Sequence, residues 1–250
     1  MIDQGWEMDS GKVMTSDKVE IEYYTNEIAN NKTPVIVSMG NWEPAFRGFP
    51  ILDAVTDRLC VVLSYRGRGK SSAPERGYDW KDHAKDIRAV VEKSEIKRAI
   101  FVSFSKGVSY SLSYIREKPE IASGLILVDY PAIHCLSQEG YAGYWYNLKY
   151  MNYEIKEYIQ RKALEGIERE STYMDFFPLI HDLKCPIMLF VGRKEDAPIR
   201  SNLEKADIEK YLESNNEVRI VEFMNSGHMI FDDEPQKAID TILRFIKEND

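Results

Sequence analysis

Five short, almost wholly apolar runs recur along this chain: Val35-Ile36-Val37, Cys60-Val61-Val62-Leu63, Ala99-Ile100-Phe101-Val102, Gly124-Leu125-Ile126-Leu127-Val128 and Ile187-Met188-Leu189-Phe190-Val191. A strand apolar on both sides needs cover on both faces, which is the situation in a parallel sheet held between helices. The intervening segments supply those helices. Trp80, Ala84, Ile87 and Val91 recur at steps of 4, 3 and 4, and Ala238, Ile239, Ile242, Phe245 and Ile246 do the same near the C-terminus. Strands alternating with helices imply an α/β fold with right-handed crossovers. The start differs: Val13 to Thr15 and Val19 to Tyr24 flank Ser16-Asp17-Lys18, predicting a hairpin with one wet face.

One segment breaks the alternation. From Ala132 to His181 the expected helix is replaced by a longer stretch, with seven aromatics between Tyr141 and Tyr158. Tyr144, Leu148, Met151, Ile155 and Ile159 fall at helical spacing, so 132–181 reads as a small helical cap over the sheet's C-terminal edge. The core domain is then 1–131 plus 182–250. Each cap aromatic serves equally well as packing or as substrate contact.

Composition narrows the partners. With 250 residues, 44% of them hydrophobic, the chain can bury a full core. A formal net charge of −8 argues against nucleic acid or an anionic membrane, leaving a small-molecule substrate. Cys60, Cys135 and Cys185 are odd in number and widely spaced, which suits neither a disulfide framework nor a zinc site. The N-terminal MIDQGWEMDSGK has no leader pattern and no run reaches the length of a membrane span, so a cytoplasmic location is expected. No metal and no cofactor is expected, and the chain is read as a monomer or homodimer.

The chemistry centres on Phe101-Val102-Ser103-Phe104-Ser105-Lys106-Gly107, a strand, an abrupt turn and the start of a helix. Small residues at 103 and 107 allow a turn tight enough to hold Ser105 clear of the sheet edge. A serine becomes a nucleophile only with a base, a group that orients the base, and donors for the oxyanion. His228, in Asn225-Ser226-Gly227-His228 after the strand predicted over Val218 to Phe223, is the base candidate. His83 and His181, on charged helical stretches, and His134, in the cap, read as solvated surface residues. For the acid, Asp196 is the first choice, in the loop after Val191, with Glu195 beside it and Asp129 after the Leu125 to Val128 strand as rivals. Gly69-Lys70-Ser71 resembles the end of a phosphate-binding loop, but the first glycine of that pattern falls on Ser64, so Arg66, Arg68 and Lys70 read as solvated charges on a structural loop.

Taken together, Ser38-Met39-Gly40-Asn41-Trp42, Tyr65-Arg66-Gly67-Arg68-Gly69-Lys70-Ser71, Phe104-Ser105-Lys106-Gly107, Gly192 to Asp196, and Gly227-His228 followed by Glu234-Pro235 resemble the α/β-hydrolase-fold family over nearly the whole chain. The resemblance implies Ser105 as nucleophile, His228 as base, Asp196 as acid, and an oxyanion hole from the backbone amides of Lys106 and of Asn41 or Trp42. Trp42, Tyr144 and Trp145 are the expected substrate contacts. The sequence departs from the family at Met39, where His is usual, at Ser64, where Asp is usual, and at Ser103, where Gly is usual. A serine nucleophile disfavours the aspartyl-ester mechanism of epoxide hydrolases and dehalogenases. The implied activity is hydrolysis of a small or medium ester, lactone or thioester through an acyl-enzyme. The alternatives are a ligand-sensing protein on the same scaffold, or a lyase or acyltransferase using the same triad.

Overall fold

The computed structural model describes residues 9–250; residues 1–8, most of the stretch read for a leader, lie outside the described residues. The chain opens with β1 (Asp9–Met14) and β2 (Glu20–Thr25), followed by β3 (Val35–Ser38), α1 (Phe49–Ala54), β4 (Cys60–Leu63), α2 (Trp80–Lys93), β5 (Ala99–Phe104), α3 (Gly107–Glu117) and β6 (Ala122–Val128). The stretch between β6 and the next core helix holds β7 (Ile133–His134), α4 (Tyr141–Asn147), β8 (Lys149–Tyr150), β9 (Tyr153–Glu154), α5 (Arg161–Glu170) and β10 (Met174–Asp175). The chain then returns through α6 (Phe177–Asp182), β11 (Ile187–Gly192), α7 (Lys205–Ser214), β12 (Arg219–Phe223), α8 (Ile230–Asp233) and α9 (Pro235–Glu248).

Among the described residues, eight strands form one sheet in the order β1-β2-β4-β3-β5-β6-β11-β12. The hairpin is antiparallel and joins β4 antiparallel, and every pairing from β4 to β12 is parallel. The continuous apolar runs are explained by two cores, one per face. In β5, Phe101 faces the layer of α2, α3, α6 and α7, while Ile100, Val102 and Phe104 face the layer of α1 and α9. Successive strand side chains alternate between faces, so a strand with two cores must be apolar throughout. Each large side chain taken from water contributes roughly 1.5–3 kcal/mol. Helix α2 starts where a reciprocal cap closes: the Trp80 amide donates to the Asp79 carboxylate at 2.9 Å and the Asp79 amide to Asp82 at 3.1 Å.

The long helix read through Tyr144, Leu148, Met151, Ile155 and Ile159 is not formed. Leu148 is extended at ψ 137 and Met151 lies in the left-handed region at φ +51, so α4 ends and β8 and β9 make a tight hairpin. The spacing instead reflects apolar residues of separate short elements that share one cluster, among them Ile155 and Ile159. The two ends of the inserted segment are pinned together by β7 and β10, with Met174 opposite His134 and Asp175 opposite Ile133. Its middle is tied to the loop after β4 by the Gly69 amide on the Tyr158 carbonyl and the Gln160 amide on the Gly67 carbonyl. Helix α6 packs into the core layer beside α7, with Phe177 edge-on to Tyr211. Among the described residues no helix is long and apolar enough to cross a membrane.

Candidate active site

Ser105 follows β5 directly and takes φ +54, a conformation that costs an L-residue about 1 kcal/mol or more. Close packing enforces it. A Cβ on Gly107 would stand 2.4 Å from the Met39 carbonyl oxygen and 2.5 Å from that of Ser38, and one on Gly40 would stand 3.1 Å from Ser105 Cβ. The turn therefore fits only with glycine at 107. Ser103, where glycine is usual, turns its hydroxyl to Ser111 at 2.8 Å inside the core. Ser64, where Asp is usual, accepts from the Ala45 amide at 2.9 Å and donates to Glu22 at 3.0 Å.

His228 Nε2 lies 2.9 Å from Ser105 Oγ, and His228 Nδ1 lies 2.8 Å from an oxygen of Asp129. A carboxylate only accepts, so Nδ1 carries the proton and Nε2 receives the serine hydroxyl. The Phe104 ring stacks on the imidazole at 4.9 Å, and Asn202 Nδ2 sits 3.2 Å from each ring nitrogen.

Asp129, not Asp196, is the carboxylate on His228. It takes φ +51 at the end of β6, a conformation Asp tolerates better than most residues, and is fully buried. Besides the imidazole it accepts from the Gly192 amide at 3.0 Å, the Ser201 hydroxyl at 2.6 Å and the Asn202 amide at 2.9 Å. Asp196 and Glu195 are exposed. After Gly192 the loop is drawn to the other side, its Arg193 and Lys194 amides bonded to the Phe223 and Ser226 carbonyls. That pairing turns 195 and 196 to solvent and returns Ser201 and Asn202 to the site. Both β6 and β11 lie between β5 and β12, so strand order alone left either loop available.

The loop after β3 is held by buried charge. Glu43 accepts from the Gly40 amide at 3.0 Å and from Arg47 at 3.1 Å, and Arg47 also holds Asp232, just past His228, at 2.6 Å. Desolvation raises the Glu43 carboxyl above its ordinary range despite Arg47. Arg68 donates to the Asn41 carbonyl at 2.8 Å. Arg66 and Arg68 are fully buried rather than solvated: Arg66 pairs with Asp86 at 2.7 Å, and Arg68 reaches His83 Nε2 at 3.0 Å. Lys70 alone of the three extends into water.

Two of the three remaining histidines also depart from expectation. His83 is buried and stacked on Tyr110 at 3.9 Å, and His134 is buried with Nδ1 2.9 Å from the Ser109 hydroxyl. Burial, with the Arg68 charge, holds the His83 pKa well below its ordinary value, and burial with the Lys106 charge brings His134 down to about 3. His181 is exposed, as expected.

A cavity of about 1020 Å³ opens onto Ser105 and His228, with Asn41, Lys106, Tyr144 and Trp145 in its wall. Trp42 lines a recess of about 30 Å³ beside it, with Phe104, Trp145 and Met229. The Asn41 and Lys106 amides make no hydrogen bond among the described residues. The described residues hold no cluster of His, Cys, Asp and Glu able to bind a metal. Ser201, Asn202, Glu43 and Arg47 were not singled out from sequence; their only signal there is proximity to the predicted loops.

No family model matches the chain. It is 24% identical over 220 residues to the AB hydrolase superfamily protein YisY of Bacillus subtilis, a match covering 74% of this chain and 80% of that protein. It is 28% identical over 82 residues to 2-(acetamidomethylene)succinate hydrolase of Mesorhizobium japonicum, covering 32% of this chain and 30% of that protein. Among solved structures, the esterase RhEst1 from Rhodococcus sp. ECU1013 matches with a TM-score of 0.76 at 16% identity, over 97% of this chain and 100% of that chain. The enol-lactonase from Burkholderia xenovorans LB400 matches with a TM-score of 0.76 at 16% identity, over 95% and 100%. With the sheet order above, these likenesses show that the chain has the α/β-hydrolase fold.

Proposed function

We propose that the protein is a serine hydrolase of small or medium carboxylic esters, lactones or thioesters, with Ser105 as nucleophile, His228 as base and Asp129 as the orienting acid. The observation that carries this reading is the continuous relay from Ser105 Oγ to His228 at 2.9 Å and on to Asp129 at 2.8 Å, at the wall of a large cavity. His228 Nε2 takes the hydroxyl proton as Oγ bonds to the carbonyl carbon. The backbone amides of Asn41 and Lys106, without other partners among the described residues, receive the developing oxyanion. Collapse expels the alcohol or thiol, which leaves with the proton from His228. Water, deprotonated by the same imidazole, then releases the acid and restores Ser105. The Trp42 recess and the half-buried Trp145 suit a small apolar portion of the substrate, while Tyr144, largely exposed, stands at the rim.

Fluorophosphonate labelling together with turnover of p-nitrophenyl esters tests the reading. Wild type should label and turn over, and both should be lost in Ser105→Ala and His228→Ala. Labelling without turnover across esters, lactones and thioesters would contradict hydrolysis and favour a sensing role.

A further inference from the structure

The wall of the cavity beside Ser105 carries a charge that the relay does not use. Lys106 is only 6% exposed and lines the cavity, and among the described residues its ammonium pairs with no carboxylate. Its one hydrogen-bond partner among the described residues is the Tyr141 hydroxyl at 3.3 Å, and it also sits over the Tyr141 ring at 4.9 Å. Of the two groups that favour its charge, Cys135 is a thiol, and the carboxylate of Asp79 has its oxygens taken by the Trp80 and Thr172 amides and the Thr172 hydroxyl. Burial, added to by Arg68, brings the Lys106 pKa down to about 7, the behaviour of a cation lacking its counter-ion.

A second group in the same wall is also unmatched. Asn41 is 6% exposed, and neither atom of its side-chain amide makes a well-formed hydrogen bond among the described residues, the Tyr141 hydroxyl being its one polar neighbour there. Buried polar groups are ordinarily satisfied, and those that are not mark a place where a ligand can complete them. Further out, Lys149 and Arg200 line the cavity against one acid, Glu139. Three cations to one acid is a local reversal in a chain of formal net charge −8.

We infer that Lys106 and Asn41 form a carboxylate-binding subsite, and that the substrate is an ester bearing a carboxylate close to its scissile carbonyl. The inference rests on the reading of Ser105 as nucleophile. The ammonium pairs with the carboxylate, the Asn41 amide donates a second hydrogen bond to it, and Lys149 and Arg200 draw the anion inward. Charge-assisted bonds of this kind correspond to roughly 10- to 100-fold in affinity or specificity.

The experiment compares p-nitrophenyl hemisuccinate with p-nitrophenyl 4-methylpentanoate, in which an isopropyl group replaces the carboxylate. Wild type should favour the hemisuccinate in kcat/KM by roughly 10-fold or more, and Lys106→Met should cut that ratio by roughly 10- to 100-fold. Lys106→Arg should keep a preference for the anion, and Lys106→Gln repeats the test should the Met variant not fold. Preference for the neutral ester in wild type, or an unchanged ratio in Lys106→Met, overturns the subsite. Calorimetry of monomethyl succinate on Ser105→Ala protein separates the two readings. Binding that Lys106→Met abolishes supports the subsite even if neither ester turns over, whereas no binding to a protein that hydrolyses both esters overturns the subsite and leaves the hydrolase standing.

Discussion

His228 Nδ1 and a carboxylate oxygen of Asp129 lie 2.8 Å apart although the residues are 99 positions apart in the chain. The contact is made because β6, which delivers Asp129, lies between β5 and β11, and β12 delivers His228 from beyond β11. Three further donors from Gly192, Ser201 and Asn202 fix the carboxylate, so it can hold the imidazole in one tautomer.

Replacing the acid should separate Asp129 from Asp196. Asp129→Asn would present an amide to Nδ1 and favour the wrong tautomer, with an expected loss in kcat of roughly 10³- to 10⁴-fold. The exposed Asp196→Asn should stay within about twofold of wild type, in line with other surface substitutions. Steady-state kinetics on the two purified variants makes the comparison.

Gly107→Ala should damage both the fold and the site. Its Cβ would meet two carbonyl oxygens at 2.4 and 2.5 Å, and backbone cannot swing aside as a side chain can. A cost of about 1–3 kcal/mol is expected, read as a lower urea midpoint, together with slower fluorophosphonate labelling of Ser105.

The pair Arg66 and Asp86 is fully buried and joined at 2.7 Å. Asp86→Asn leaves a buried guanidinium with less compensation, and a loss of about 3–5 kcal/mol is expected. At a few degrees per kcal/mol for a chain of this size, calorimetry should show Tm falling by roughly 10 °C.

Acid should destabilise the protein through its buried histidines. His134, at about 3 in the fold, and His83, also well below its ordinary value, stay neutral where the unfolded chain takes up protons. The unfolded state then binds more protons, so the contribution of these two histidines to stability is fully present above their ordinary pKa near 6.5 and is lost as pH drops toward 3. The slope approaches about 1.4 kcal/mol per pH unit for each histidine. Urea unfolding at pH 7.5, 6 and 5 should show this loss, and His134→Asn should show a shallower one.

The sheet, the hairpin, the elbow at Ser105 and the histidine loop were legible because each has a local cause: continuous apolar runs, an alternating run after a turn, small residues flanking Ser105, Gly227 before His228. The acid was not legible at the same level. Asp129 and Asp196 both follow strands between β5 and β12, and the choice turns on where the loop after Gly192 sends its amides. The same holds for Arg66, Arg68 and His83, whose charged neighbourhoods in sequence hide carboxylate, carbonyl and ring partners 15 or more positions away. Helical spacing in the cap misled because short elements sharing one apolar cluster reproduce it.

The central claim is that Ser105 Oγ carries the acyl group, and rapid-quench mass spectrometry reads this directly. Wild type mixed with p-nitrophenyl butyrate and quenched in acid during the first turnovers should show a butyryl adduct on the peptide containing Ser105, absent from Ser105→Ala. An adduct placed on another residue, or full hydrolysis by Ser105→Ala, would contradict it.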